Sequence, residues 1–198
     1  MMQYSRSRQG SKRDRAQRSQ NAAAMSRGCS FCVLLRLFAA NPPGMTILET
    51  LRAGVTTASA DETQALARAL AAVLPADTVL ALHGTLGVGK TTFVQGLAEG
   101  LGITEPVTSP TFTIFTLHRA GSRRGEAGRD ALTFVHLDAY RLEHAGQVEA
   151  LMLDDFLVSP WCLAVEWPEN IGAWLPAGAW HLDLGIGVTD GRHTVRLR

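Results

Sequence analysis

Hydrophobic and polar residues follow two alternating patterns along the chain. Residues 66–73 place apolar side chains on one helical face, and Ser59-x-x-Glu62 ahead of them has the form of a capping box, so a helix is predicted that ends at Pro75. Residues 78–82 form a short apolar run, which is typical of a buried strand. A second helix is predicted after this strand, and a glycine-rich turn connects the two.

The same alternation continues to the end of the chain. Strands are predicted at 47–51, 112–117, 132–137 and 162–165, helices at 90–101, 147–157 and 168–174, a polar loop at 120–130, and a β-hairpin at 180–187 with 193–197. Strands interleaved with helices indicate an α/β fold. We expect a single domain with a largely parallel central sheet, flanked by helices and followed by a C-terminal β-hairpin.

The first 44 residues differ in charge from the rest. Residues 1–44 carry eight Lys/Arg and one acidic residue, a net charge of +7, whereas residues 45–198 carry eleven against seventeen, a net charge of −6. Residues 1–27 have no apolar periodicity, so burial could not offset the entropy lost on ordering. We predict that 1–44 is a basic, disordered leader and that 45–198 is the folded domain.

The leader admits several interpretations. Basic residues before the apolar residues 30–40 resemble a secretory signal, but Arg36 interrupts the apolar part. A basic tail could also bind nucleic acid nonspecifically. Cys29-x-x-Cys32 has the spacing of a metal or redox pair but lacks a second pair of ligands. The simplest interpretation is a dispensable leader, because Met45 begins a self-sufficient segment.

Composition narrows the class of protein. A chain with 46% hydrophobic and 19% charged residues is neither collagen, nor a disulfide scaffold, nor disordered throughout. No apolar run approaches the roughly 18 residues of a membrane-spanning helix, so we expect no membrane partner. Three cysteines indicate a reducing compartment or no redox constraint at all, and we expect a cytoplasmic protein.

The strongest chemical signal is the segment 84–91, Gly-Thr-Leu-Gly-Val-Gly-Lys-Thr, which fits the phosphate-loop pattern G-x-x-x-x-G-K-[ST]. It follows a predicted strand and opens a predicted helix, as that pattern requires. Glycines let backbone N–H groups converge on phosphate oxygens, and the helix N-terminus adds partial positive charge. Lys90 would contact the β- and γ-phosphates, and the Thr91 hydroxyl could ligate Mg²⁺.

A nucleoside triphosphate site also needs an acidic residue, at the end of another buried strand, to hold the hydrated metal. Glu166 and Asp138 each follow an apolar strand, and the residues alone do not rank them. His83 and His136 lack a defined partner in the sequence, so we interpret each as a structural residue or as one that supports a site residue, rather than as catalytic. Arg141 could stabilise phosphate charge, but we interpret it as an exposed structural arginine.

Four segments resemble the TsaE (YjeE) family, the small bacterial ATPases of tRNA threonylcarbamoyladenosine biosynthesis. They are HGTLGVGKTTF (83–93), SPTFT (109–113), HLDAYRL (136–142) and LAVEWPE (163–169). The resemblance covers about residues 55–198. It implies a P-loop ATPase that uses ATP and Mg²⁺, works with TsaB- and TsaD-type subunits, and meets tRNA only through that complex. ATP hydrolysis would support turnover of the complex.

The resemblance also assigns residues to roles. Thr91 and Glu166 would hold Mg²⁺, Asp138 would be a second acid near the γ-phosphate, and Ser109 and Thr111 would lie in a switch-like loop. The implied catalytic residues are Lys90, Asp138 and Glu166, and the implied nucleotide-binding residues are Gly84, Gly87, Val88, Gly89, Lys90, Thr91, Thr92, Glu62, Thr63 and Arg192. The helix start at 61–63 would lie near the nucleotide base. Outside the nucleotide-binding set, Trp167 is a further family position.

Thr85, Leu137 and Ala139 depart from the family pattern, and two alternative functions remain. Thr85 stands where family members usually have Asp, which bears on the rate of hydrolysis rather than on binding. A small-molecule kinase would use the same loop but would need an acceptor-binding insert and a basic lid. A nucleotide-gated scaffold would bind ATP and scarcely hydrolyse it, as Thr85 would favour. The net charge of −6 disfavours direct tRNA binding by the domain.

Overall fold

The computed structural model describes residues 44–120, 131–187 and 191–198. The predictions for residues 1–43, for the loop at 121–130 and for the hairpin turn at 188–190 lie outside these ranges. The α-helices are α1 (Ile47–Ala53), α2 (Ala60–Ala71), α3 (Lys90–Leu101) and α4 (Ala145–Glu149). Short 3₁₀-helices span Ala139–Arg141, Leu153–Asp155 and Pro168–Trp174.

Seven strands form one sheet in the described chain. They are β1 (Val55–Thr57), β2 (Thr78–His83), β3 (Phe115–Arg119), β4 (Thr133–Asp138), β5 (Trp161–Glu166), β6 (Trp180–Ile186) and β7 (His193–Leu197). Their order across the sheet is β1-β7-β6-β2-β5-β4-β3. The prediction of an α/β fold with helices interleaved between strands is therefore confirmed.

The expectation of a largely parallel sheet is wrong in part. β2 pairs in parallel with β5 and β6, and β4 pairs in parallel with β5. The other three pairs, β1–β7, β6–β7 and β3–β4, are antiparallel. The connection from β6 to β7 is too short for a crossover, which forces an antiparallel pair and gives the predicted hairpin. The sheet therefore has a parallel centre between antiparallel edges.

Two hydrophobic layers cover the sheet. On one face, alternate strand residues such as Leu80 and Leu82 pack with Leu66 of α2 and Phe93 of α3. On the other face, strand residues such as Val79, Val135 and Leu163 pack with residues of α4 and the 3₁₀-helices. Because β2, β4 and β5 are buried on both faces, they consist of near-continuous apolar runs. Their carboxyl ends meet at one edge, where ligands of open α/β sheets bind.

The predicted first strand at 47–51 is wrong, because these residues form helix α1. Thr46 and Glu49 make a reciprocal capping box, in which the Thr46 N–H donates to Glu49 Oε2 at 2.8 Å and the Glu49 N–H donates to Thr46 Oγ1 at 3.3 Å. Ile47 and Leu51 lie one turn apart and are both buried. The apolar composition of the segment favoured a strand, whereas the cap decided the structure.

The predicted helix at 147–157 is shorter than expected. α4 ends at Glu149, and Met152 adopts a left-handed backbone conformation with φ of +52° before the 3₁₀-helix Leu153–Asp155. The predicted strand at 112–117 begins later, at Phe115, because Thr113 and Ile114 donate backbone hydrogen bonds to Pro110 in a turn. Across the described ranges, no helix combines the length and apolar character that crossing a bilayer requires.

Candidate nucleotide site

The loop between β2 and α3 has the backbone shape that phosphate binding requires. Gly84 lies against β6, where a Cβ would stand 2.4 Å from the Leu184 carbonyl oxygen, so only glycine fits. Gly89 precedes α3 with φ of +95°, a left-handed conformation that other residues rarely adopt. These two glycines fix the entry and exit of the loop, and the N-terminal N–H groups of α3 open towards the site.

The Lys90 side chain lies against its own loop. Its Nζ donates to the carbonyl oxygens of Gly84 at 2.7 Å and Thr85 at 3.0 Å, and it stands 3.8 Å from the centre of the Trp167 ring. Only 5% of Lys90 is exposed. Burial lowers the pKa of the Lys90 ammonium, while the carboxylate of Glu166 opposes that shift. The loop therefore holds a partly desolvated cation beside the place where phosphates would bind.

The strand ends bring the two predicted acids to the same edge. In the sheet register, Glu166 of β5 lies beside Leu82 of β2 on one side and Asp138 of β4 on the other. The Thr91 hydroxyl donates to Glu166 Oε1 at 2.8 Å, which joins the first turn of α3 to β5. Both acids are 4% exposed. The structure thus brings Lys90, Thr91 and both acids into one site.

Asp138 is linked to the loop that carries the SPTFT segment. The hydroxyls of Ser109 and Thr111 donate to Asp138 Oδ2 at 3.2 and 2.9 Å, and Asp138 Oδ1 accepts the backbone N–H of Tyr140. Two hydroxyl donors and one amide therefore orient this carboxylate. The arrangement makes the position of the loop depend on the acid at the end of β4.

These residues line one cavity of about 340 Å³, within the size range of small-ligand pockets. The Trp167 backbone has φ of +57°, a strained conformation for a non-glycine residue, and its ring packs 5.0 Å from that of Tyr140. Tyr140 is a lining residue that sequence reasoning missed. The cavity lining is Leu86, Gly87, Gly89, Lys90, Thr91, Thr92, Ser109, Thr111, Asp138, Tyr140, Glu166 and Trp167.

The oxygen atoms of Thr91 and Glu166 suit a Mg²⁺ ion that is also bound by a nucleotide, rather than a metal ion held by protein side chains alone. Thr91 Oγ1 and Glu166 Oε1 are adjacent hard oxygen atoms beside the phosphate loop. No group of three or more His, Cys, Asp or Glu side chains suited to a metal occurs among the described residues. Mg²⁺ is commonly held by one or two carboxylates together with substrate phosphates. Thr91 and Glu166 could therefore hold the ion once a nucleotide supplies further oxygens.

Five of the predicted nucleotide contacts lie outside the lining of this cavity: Gly84 and Val88 of the phosphate loop, and Glu62, Thr63 and Arg192 beyond it. Glu62 Oε2 accepts the Ala58 N–H at 2.7 Å, and the Thr63 hydroxyl pairs with Thr57 at 2.7 Å, so both side chains serve the start of α2. Arg192 is exposed directly before β7. Their contacts with a nucleotide remain predictions.

Two histidines support the site, and sequence reasoning did not identify their partners. His193 of β7 shares a hydrogen bond of 2.8 Å with the carbonyl oxygen of Val88 in the phosphate loop. His136 of β4 lies 3.0 Å from Glu166 Oε1 through its Nε2. These contacts join residues 105 and 30 positions apart, so no local pattern signals them.

His83 and Arg141 have contacts outside the acid cluster, and the roles predicted for them remain predictions. His83 Nε2 lies 2.8 Å from His181 Nδ1, and its Nδ1 is 3.5 Å from Glu169. Burial lowers the pKa of the His83 imidazole. The Arg141 guanidinium lies 4.7 Å from the centre of the Phe112 ring.

Comparison with known proteins agrees with this geometry. The family model described as "Threonylcarbamoyl adenosine biosynthesis protein TsaE" matches residues 57–194. The TsaE protein of Bacillus subtilis is 42% identical over 120 residues, which cover 61% of this chain and 69% of that protein. The Treponema pallidum TsaE protein is 32% identical over 137 residues, which cover 69% of this chain and 93% of the relative.

A solved structure supports the same assignment. The crystal structure of Bacillus subtilis YdiB superposes with a TM-score of 0.57 at 33% identity, covering 73% of this chain and 83% of that one. The family match runs from the last residue of β1 to the start of β7 and includes the phosphate loop and both acids. The chain therefore belongs to the TsaE family.

Proposed function

We propose that this protein is a Mg²⁺-dependent ATPase that supports tRNA threonylcarbamoyladenosine biosynthesis together with TsaB- and TsaD-type subunits. Membership of the TsaE family supports a role in that biosynthesis, since the relatives bear its name. ATP hydrolysis, the metal and the two partner subunits are the further content of the proposal.

The observation that carries the proposal is the hydrogen bond of 2.8 Å between Thr91 and Glu166, next to the phosphate loop. The hydroxyl after the loop lysine and an acid at the end of a neighbouring strand are the two protein groups that hold magnesium in P-loop ATPases. A bound Mg²⁺ would neutralise charge on the phosphates. Lys90 would exchange the Gly84 and Thr85 carbonyls for phosphate oxygens.

Asp138 suits a different task in the same reaction. It lies on β4, one strand beyond Glu166, and its Oδ2 accepts the hydroxyls of Ser109 and Thr111. A carboxylate held in this way can orient a water molecule and accept its proton as the water attacks the γ-phosphate. We therefore assign metal binding to Glu166 and water positioning to Asp138.

The test compares Glu166→Gln with Asp138→Asn, and uses Glu149→Gln, an exposed acid on α4, as the matched control. Calorimetric titration with ATP and ADP, with and without Mg²⁺, measures binding, and phosphate release measures hydrolysis. Glu166→Gln should lose the Mg²⁺ enhancement of ATP affinity. Asp138→Asn should keep ADP affinity but hydrolyse ATP more slowly, and Glu149→Gln should resemble the unmodified protein.

The same variants decide between the alternatives. Exchanged phenotypes for the two acids would show that their roles are reversed. Mg²⁺-independent binding in the unmodified protein would refute the metal site. Tight binding with no hydrolysis, even with TsaB- and TsaD-type subunits and tRNA present, would favour the nucleotide-gated scaffold. In that reconstituted mixture, both acid variants should reduce the yield of threonylcarbamoylated tRNA.

A further inference from the structure

His136 is a fully buried polar side chain in the middle of β4. Its exposure is 0%, and it lies between Val135 and Leu137, which are also fully buried. Its Nε2 is 3.0 Å from Glu166 Oε1, the same oxygen that accepts the Thr91 hydroxyl at 2.8 Å. One carboxylate oxygen therefore joins β4, β5 and the first turn of α3.

The contact with Glu166 uses one ring nitrogen of His136. A carboxylate oxygen accepts hydrogen bonds, so this contact is made by a proton on Nε2 that His136 donates. Nδ1 finds no hydrogen-bond partner among the described residues. A buried polar atom without a partner lowers stability. An apolar side chain of similar size would fill this position in the sheet without that cost, so core packing does not explain the histidine.

The need for such a donor follows from the length of Glu166. P-loop ATPases commonly place an Asp at this position, and Glu has one more rotatable bond. A buried carboxylate with extra rotamer freedom must be held if its oxygens are to meet a metal ion in a fixed geometry. The Thr91 hydroxyl fixes Oε1 from the side of the phosphate loop, and His136 fixes it from the side of the sheet.

We propose that His136 is a positioning residue of the Mg²⁺ site, which holds the Glu166 carboxylate against Thr91 through its Nε2–H. This inference rests on the nucleotide site proposed above. His136 does not reach the cavity lining, so it acts through Glu166 rather than on the nucleotide. Groups that orient a metal ligand in this way typically alter metal affinity 10- to 100-fold when replaced.

The test uses the full chain with His136→Leu and His136→Gln. Leucine removes both ring nitrogens, whereas glutamine keeps an N–H donor near the position of Nε2. Three quantities are measured for each variant: the melting temperature, ADP affinity without metal, and the Mg²⁺ concentration that gives half of the metal enhancement of ATP binding. Glu166→Gln serves as the reference for loss of the ligand itself.

In His136→Leu, the half-saturating Mg²⁺ concentration should rise about 10-fold or more. The affinity for ADP without metal should stay the same, and the melting temperature should stay the same or rise. His136→Gln should restore most of the Mg²⁺ response. The inference is overturned if His136→Leu leaves the Mg²⁺ response unchanged, if glutamine gives no rescue, or if both variants melt many degrees lower. If Glu166→Gln also leaves the Mg²⁺ response unchanged, the proposed metal site itself fails.

Discussion

Replacing Lys90 with methionine tests the phosphate loop most directly. Methionine keeps the unbranched stem of the side chain and removes the ammonium group. That group makes two hydrogen bonds to loop carbonyls, at 2.7 and 3.0 Å, and lies 3.8 Å from the centre of the Trp167 ring. The substitution therefore removes contacts within the free protein as well as any contact with phosphate.

The structure predicts a small effect on folding and a large one on binding. The substitution removes two hydrogen bonds, but it also removes the cost of burying a charge, the same burial that lowers the pKa of Lys90. Water can hydrate the carbonyl oxygen of Thr85, because that residue is exposed. We expect the free energy of unfolding to change by about 1 kcal/mol or less. A charge-assisted contact with phosphate contributes about 1.5–3 kcal/mol, so affinity for ATP should fall roughly 10- to 150-fold.

The chain offers a matched control, because Lys12 and Lys90 are its only lysines. Lys12→Met makes the same chemical change in the basic leader. Thermal unfolding measures stability, and calorimetric titration measures ATP and ADP affinity for both variants. Unchanged affinity in a folded Lys90→Met protein would refute the P-loop assignment. A fall of many degrees in melting temperature would instead show that the Lys90 contacts stabilise the fold.

Two further predictions concern pH and the leader. Burial and the charge of Arg198 lower the pKa of His83, although Glu169 opposes this shift. The contribution of neutral His83 to the free energy of unfolding should therefore be fully present above about pH 6.5 and be lost as the pH drops below it. In His83→Gln, the melting temperature should fall less as the pH drops below about 6.5 than it does in the unmodified protein. An equal fall in both proteins would contradict the reasoning. Deleting residues 1–44 should leave the melting temperature and ATP affinity unchanged, because the capped helix α1 begins after them. Salt-sensitive retention on RNA should drop, and a markedly lower melting temperature would refute this prediction.

Features of the site set by local sequence could be predicted. The spacing in residues 84–91 determines the loop, since its glycines permit positive φ and the following helix supplies N–H groups. Glu166 and Asp138 were predicted as candidates because each ends an apolar run, and parallel strands place such ends at one edge. Predicting which acid contacts Thr91 requires the order of the strands in the sheet, and the residue pattern alone does not contain that order.

Features set by distant contacts could not be predicted. β1 has three residues, too few for a periodic pattern, and it is held by pairing with β7 at the far end of the chain. His193 reaches Val88 across 105 positions, and Trp167 takes a left-handed conformation that its residue type does not favour. Helix α1 is a different case, because Thr46-x-x-Glu49 signals a cap that outweighs the apolar composition.

The contacts within the loop also determine how nucleotide binding should be interpreted. Lys90 is bonded to the Gly84 and Thr85 carbonyls, and the Thr91 hydroxyl is bonded to Glu166. A phosphate bound at Lys90 would therefore compete with these contacts rather than meet a free ammonium. The measured affinity is the difference between the new contacts and the old ones, so it will underestimate the strength of the phosphate–lysine interaction. Because Trp167 packs on the same ammonium and directly follows Glu166, a displacement of Lys90 would remove a contact of the residue beside the proposed metal ligand.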